Sequence, residues 1–173
     1  LTVDLSANIQ SALEEGLLDI AVLNNPEAAA HLEIFPLGST ALRWVCAVSL
    51  LPGGEEGEPS LRKLMSEKLI WVPPGDSPSH SFARQELIEM DAAIDHLCTT
   101  NKGLLEIALQ GGGLVLLPDI MVRPYLESGQ LVCVGDAPKV PDISLFLAVH
   151  RHHQWAIQKA KDFILKTAQA SPL

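Results

Sequence analysis

The chain has 173 residues, 47% hydrophobic and 19% charged, a balance that buries a sizeable core as one domain or two small lobes and excludes an intrinsically disordered chain. Acidic residues outnumber basic ones 21 to 12, giving a formal charge of -9 and a pI near 5.0, so the chain lacks the clustered Lys and Arg that grip a phosphate backbone. No apolar run approaches a membrane span and no basic-then-apolar leader is present; with three widely spaced cysteines, Cys46, Cys98 and Cys133, a reducing cytoplasm is expected and membrane association is not.

Residues 1–5 alternate like a strand already in progress. Ser6 is placed to cap a helix through Ile9, Ala12 and Leu13 that ends at Gly16, and after Asp19 the apolar residues 20–23 predict a strand closed by the turn Asn24-Asn-Pro26. Asp19 is expected to be a buried polar residue closing the turn after Gly16. Residues 34–37 and 41–50 read as further strands, and residues 51–60, rich in Gly, Glu and Pro, as a surface loop. A short helix from Ser60 through Leu64 comes next, then a strand over residues 69–72, stopped by Pro73-Pro74. The polar stretch 75–80 feeds a helix to about Met90, and a strand over residues 94–98 exits through Thr99-Thr-Asn101.

The next stretch, residues 102–122, organises the rest. Leu104, Leu105, Ile107, Ala108 and Leu109 give a helix one apolar face, Gly111-Gly-Gly113 stops it, residues 114–117 form a wholly apolar strand, and Pro118-Asp119 opens another helix. That helix runs through Met121, Tyr125 and Leu126 to Gly129 and leads to a strand over residues 131–134. A final strand at 143–149 and an amphipathic helix at 154–168, with Trp155, Ile157, Phe163 and Ile164 on or near its buried face, complete the chain.

Strand–helix alternation predicts an α/β protein. The helix–glycine–strand plan occurs twice, with Ser6 ten residues before Gly16 and Thr100 eleven before Gly111, so two similar lobes facing a cleft are expected. The crossings between them are placed at Pro73-Pro74 and within residues 136–141, dividing the chain into residues 1–73 with 139–173 as lobe I and residues 74–138 as lobe II.

Three ordered passages carry a resemblance. Residues 9–22 (IQSALEEGLLDIAV), residues 107–118 (IALQGGGLVLLP) and residues 126–132 (LESGQLV) resemble successive signatures of the LysR-type transcriptional regulators, and together they span essentially the whole chain. The resemblance implies the two-lobed type 2 periplasmic-binding-protein-like fold with two crossovers and a small ligand in the cleft. It also implies that the first strand and helix of lobe I and the winged helix-turn-helix lie outside this sequence. Gly112 stands where the family carries a larger residue, and is expected to loosen that turn.

Ser6, Ser79 and Thr100 fall where strands give way to helix N-termini, and the free N–H groups there favour anions by about 0.3–1 kcal/mol each. With Asn8, Asn24, Ser77, His80, Thr99 and Asn101 they form the expected ligand-binding set for a small anionic effector. The bland reading is that each hydroxyl only caps its own helix, and that His80 is a solvated loop residue.

Other motifs carry less. A helix precedes Gly111 and Gly113 and a strand comes after them, the reverse of a phosphate loop. His150-Arg-His-His153 has no carboxylate or cysteine at ligand spacing, so no metal is expected, and no cofactor either. Cys98 reads as a core cysteine in preference to a redox sensor. With Glu55 and Glu56 in a loop and no nucleophile elbow, no catalytic set forms and an enzyme is not expected. The expectation is thus an effector-sensing domain, paired as a homodimer (a tetramer in the full protein), with DNA bound only through a separate helix-turn-helix domain. The alternative is a solute-binding protein of a transport system, which shares the fold.

Overall fold

A computed structural model of the chain describes residues 6–51, 61–67, 70–72, 77–92, 94–95, 98, 100–151 and 155–170. The polypeptide divides into two compact units, one of Leu1–Thr40 with Ile143–Leu173 and the other of Ala41–Asp142, joined by two crossings of the chain.

In the first unit, helix α1 (Ser6–Glu14) turns back at Gly16 into strand β1 (Ile20–Asn24), which leads to β2 (Leu32–Thr40). The last strand of the chain, β8 (Ile143–His150), lies between β1 and β2 and is antiparallel to both. Alternation gives this sheet two distinct faces. Ala21, Leu23 and Ala148 pack with Ile9 and Leu13 of α1. The opposite face carries Phe35 and Glu33, which meet Lys161 of the C-terminal helix α6 (Trp155–Ala170): Nζ lies 3.5 Å from the Glu33 carboxylate and 4.9 Å from the Phe35 ring centroid.

The second unit contains β3 (Leu42–Ala47), a single 3-10 turn at Val48–Leu50, α2 (Leu61–Glu67), β4 (Ile70–Trp71), α3 (Pro78–Glu89), β5 (Ile94–Asp95), α4 (Asn101–Leu109), β6 (Leu114–Pro118), α5 (Asp119–Glu127) and β7 (Leu131–Cys133). Its sheet has the order β5-β4-β6-β3-β7, with β4 parallel to β5 and β6, and β3 antiparallel to β6 and β7. Every residue of β6 is buried. Val115 and Leu117 pack with Val45 and with Leu104, Leu105 and Ala108 of α4, as the apolar run and the helical periodicity predict.

The turn from α4 into β6 is tight, not loosened. Gly111 has φ +71, a left-handed conformation that ends the helix at low cost only for glycine, and the Gly112 N–H donates to Ile107 O at 2.8 Å. A Cβ at Gly112 would stand 2.8 Å from Ile107 Cγ2 and 3.0 Å from Ile107 O, so a side chain here requires Ile107 to shift.

Several expectations need correction. The first crossing lies at Thr40/Ala41, not at Pro73-Pro74: Thr40 still pairs with Ile143, and Leu42 already pairs with Pro118. Residues 41–73 therefore belong with the second unit, and its far boundary is Asp142/Ile143. The physical reason is that one extended run serves two sheets in succession, with no break in hydrophobicity to mark the passage. Asp19 is exposed; the turn after α1 is closed by backbone bonds from Gly16, Leu17 and Leu18 N–H. On α6 Trp155 and Phe163 are each 72% exposed, and the buried position is Lys161, whose aliphatic stem lies inward while its ammonium reaches Glu33. The strand expected at residues 1–5, most of the 51–60 loop, Ser60, Thr99, His152 and His153 lie outside the described residues.

Candidate functional site

In the first unit the residues singled out at the start of α1 meet the end of β1. The Asn24 backbone N–H donates to Ser6 Oγ at 3.1 Å. The Asn24 side-chain oxygen is shielded from solvent and has no hydrogen-bond partner among the described residues. Gln10 braces the turn beyond, donating to Glu27 O at 3.0 Å and accepting from Glu27 N–H at 2.9 Å. Asn8 is exposed in the first turn of α1.

In the second unit two helices begin beyond the carboxyl ends of neighbouring parallel strands, α3 after β4 and α4 after β5, and this edge of an open α/β sheet is where ligands collect. Ser77 is the N-cap of α3, with extended backbone (φ -145, ψ 156), and Pro78 occupies the first helical position. Ser77 Oγ accepts from the His80 N–H at 3.2 Å and stands 2.9 Å from His80 Nδ1. Because that oxygen already accepts the backbone proton, its own proton is available to Nδ1. Ser79 Oγ donates to the Asp142 carbonyl at 3.3 Å, tying α3 to the second crossing. All three side chains belong to the buried set, and His80 is only 4% exposed, so the solvated-loop reading of His80 is overturned.

Thr100 caps α4 in the same manner, its backbone extended and its Oγ1 accepting from Gly103 N–H at 3.2 Å; Asn101 occupies the first helical position. Thr100 is exposed and Asn101 partly so. Ser77 and Thr100 thus satisfy helix ends, as the bland reading holds; in the first turn of α3 Pro78 has no N–H, and the His80 and Ser81 N–H groups both bond to Ser77. Sequence reasoning missed the Asp142 carbonyl; the signal was its position directly before the apolar run 143–149.

Elsewhere the chemistry is structural. Burial above all, with the nearby Cys133 thiol, pushes Cys46 up to about 11, which keeps it protonated. Cys98, partly buried against the core of the second unit, places its thiol 3.6 Å from Thr100 O. His150 Nε2 lies 2.5 Å from Leu13 O and its ring stacks on His31 at 5.4 Å. Among the described residues no group of three or more His, Cys, Asp or Glu is arranged to hold a metal ion, and no described helix is long and apolar enough to cross a membrane.

Comparison with known families decides the lineage, since residues 1–169 match the LysR substrate binding domain. The chain belongs to the LysR substrate-binding-domain family. A curated relative, the LysR-family substrate-binding-domain protein YagP of Escherichia coli strain K12, is 32% identical over 83 residues, covering 46% of this chain and 61% of the relative. The match thus spans about three fifths of that relative's length.

Solved structures share the fold of this LysR substrate-binding domain. The regulatory domain of CcmR from Synechocystis PCC6803, in complex with 2-PG, aligns with a TM-score of 0.75 and 11% identity over 100% of this chain and 84% of its own. The effector-binding domain of QuiR in complex with shikimate aligns with a TM-score of 0.71 and 18% identity over 98% and 81%. The two-lobed periplasmic-binding-protein-like α/β fold is therefore the fold of this chain.

Proposed function

We propose that this LysR substrate-binding domain senses a small anionic metabolite through the starts of α3 and α4, and so governs DNA binding by a helix-turn-helix domain elsewhere in the full protein. The observation that carries the reading is the buried first turn of α3, where the polar side chains of Ser77, Ser79 and His80 gather at a helix start beyond the same strand ends at which α4 begins. Thr99, Thr100 and Asn101 at α4 are the other proposed contacts of this unit.

A carboxylate satisfies such N–H donors without an arginine, and shikimate, the ligand named for QuiR, is a carboxylate. Effector binding acts by favouring one arrangement of the domain over another. Copies of the domain pair through helix surfaces such as α5, where Ile120 is exposed. Fluorimetric melting against a panel of small organic acids and matched neutral analogues tests the reading. An acid present at 100 times its dissociation constant stabilises by about 2.7 kcal/mol, whereas a response to neutral compounds alone contradicts it. On this reading the chain by itself shows no sequence-specific gel shift with DNA.

A further inference from the structure

The two crossings of the chain are held in different ways, and both holds lie within the second unit. At the first, the Ala41 carbonyl accepts the Asp119 N–H at 2.8 Å, a backbone bond of ordinary length, and two residues further on Arg43 Nε donates to the Asp119 carboxylate at 2.8 Å. Asp119 opens α5, so this crossing is pinned twice to one helix start. At the second, the Asp142 carbonyl accepts from Ser79 Oγ at 3.3 Å, beyond the roughly 2.5–3.0 Å usual for a hydroxyl donor. Residues 139–142 make no other hydrogen bond among the described residues.

The donors differ in kind as well as in distance. A backbone N–H is fixed by the peptide plane, whereas a serine hydroxyl rotates and gives its proton to the better acceptor. Ser79 is buried, so bulk water does not compete for that proton, and its backbone N–H, in the first turn of α3, has no acceptor among the described residues. A carboxylate drawn to this N–H lies within reach of the hydroxyl of the same residue. As a charged acceptor it forms a bond roughly twice as strong as a neutral carbonyl does.

We propose that Ser79 couples the effector to the second crossing: an anionic ligand at the start of α3 turns the Ser79 hydroxyl away from the Asp142 carbonyl and frees the backbone at Asp142, while the first crossing stays pinned at Asp119. The coupling rests on the anion-sensing reading above. It makes Ser79 a positioning residue that answers to charge, because a neutral amide offers a carbonyl no better than that of Asp142 and leaves the crossing held. Occupancy of the site is then read at Asp142 and not at Ala41.

Carbonyl-carbon NMR of the 173-residue chain reads both crossings while shikimate and a panel of other small carboxylic acids, each beside its neutral amide, are titrated. In the parent the Asp142 carbonyl resonance moves upfield in step with the acid bound and the Ala41 resonance stays in place; the amides move neither. In Ser79→Ala the Asp142 resonance is already upfield without acid and stays there at saturation, and the acid binds only about fivefold more weakly, since the serine exchanges one hydrogen bond for another. An acid that saturates the parent with the Asp142 resonance unmoved, or that shifts it equally in Ser79→Ala, overturns the coupling and leaves the anion-sensing reading standing. A panel in which no acid binds overturns both, and the parent titration decides by itself if the variant does not fold.

Discussion

The same local plan, a helix ended by a left-handed glycine and continued by an apolar strand, is used once in each unit with opposite results. In the second unit α4, Gly111 and β6 lead to a central strand with all five residues buried, flanked by β4 and β3. In the first unit α1, Gly16 and β1 lead to a strand that is outermost among the described residues and in which Val22 is half-exposed. The difference teaches that local sequence sets the turn, while burial is set by what the neighbouring strands and helices supply.

The largest test of that contrast is truncation within the two strands. Leu116→Ala in β6 empties a fully buried site and is expected to cost about 2–5 kcal/mol in urea unfolding, while Val22→Ala in β1 stays within about 0.5 kcal/mol. Comparable losses at the two positions would break the comparison. The two glycines sharpen it. Both have φ above +70, so alanine is strained at either, but a Cβ at Gly111 also meets Ser49 Oγ at 3.3 Å whereas one at Gly16 meets nothing within 4 Å. Gly111→Ala should therefore destabilise by about 1–2 kcal/mol and Gly16→Ala by about 1 kcal/mol, read from the same denaturation curves.

The exits of the two strands give a smaller, pH-dependent effect. β6 runs directly into α5, where the Asp119 carboxylate bridges Arg123 at 2.5 Å and Arg43 at 2.8 Å; β1 runs into a turn at Asn25. The hydrogen bond from Arg123, then that from Arg43, holds the Asp119 carboxyl below its ordinary value. A depressed folded value means that the stabilisation is present above the unfolded value of about 3.9 and is lost as the pH falls through the folded one. Asp119→Asn should cost up to about 1 kcal/mol at pH 7, and its difference from the parent should shrink below about pH 4 in a pH series of unfolding curves, because both guanidinium groups are well exposed.

The contrast also explains which features can be read from the sequence. Periodicity within a contiguous window reveals α4, β6 and α5, because Leu104, Leu105, Ala108 and the 114–117 run meet in one core. The helix-start hydroxyls Ser77 and Thr100 are legible through their positions before apolar helices, and both are caps. The crossing at Ala41 is not, since Thr40 and Leu42 pair with strands more than seventy residues away, and nothing local distinguishes their partners. On α6 the apolar residues suggest an inward face, yet Trp155 and Phe163 stand outward while Lys161 turns in, because Glu33 and Phe35 from β2 provide its charge and ring partners. Nothing in the polar stretch around His80 signals its burial in the first turn of α3.

The central claim is that the helix starts of this domain receive a small anion, and the most direct measurement is calorimetric titration of the organic acid that most raises the melting temperature, against the parent chain and His80→Ala. The account predicts saturable binding to the parent, and binding weakened at least about tenfold in a variant whose circular dichroism is unchanged, the loss expected for one buried hydrogen bond to a charged group. Equal affinity for the two proteins, or equal affinity of the parent for the acid and its neutral amide, would contradict it.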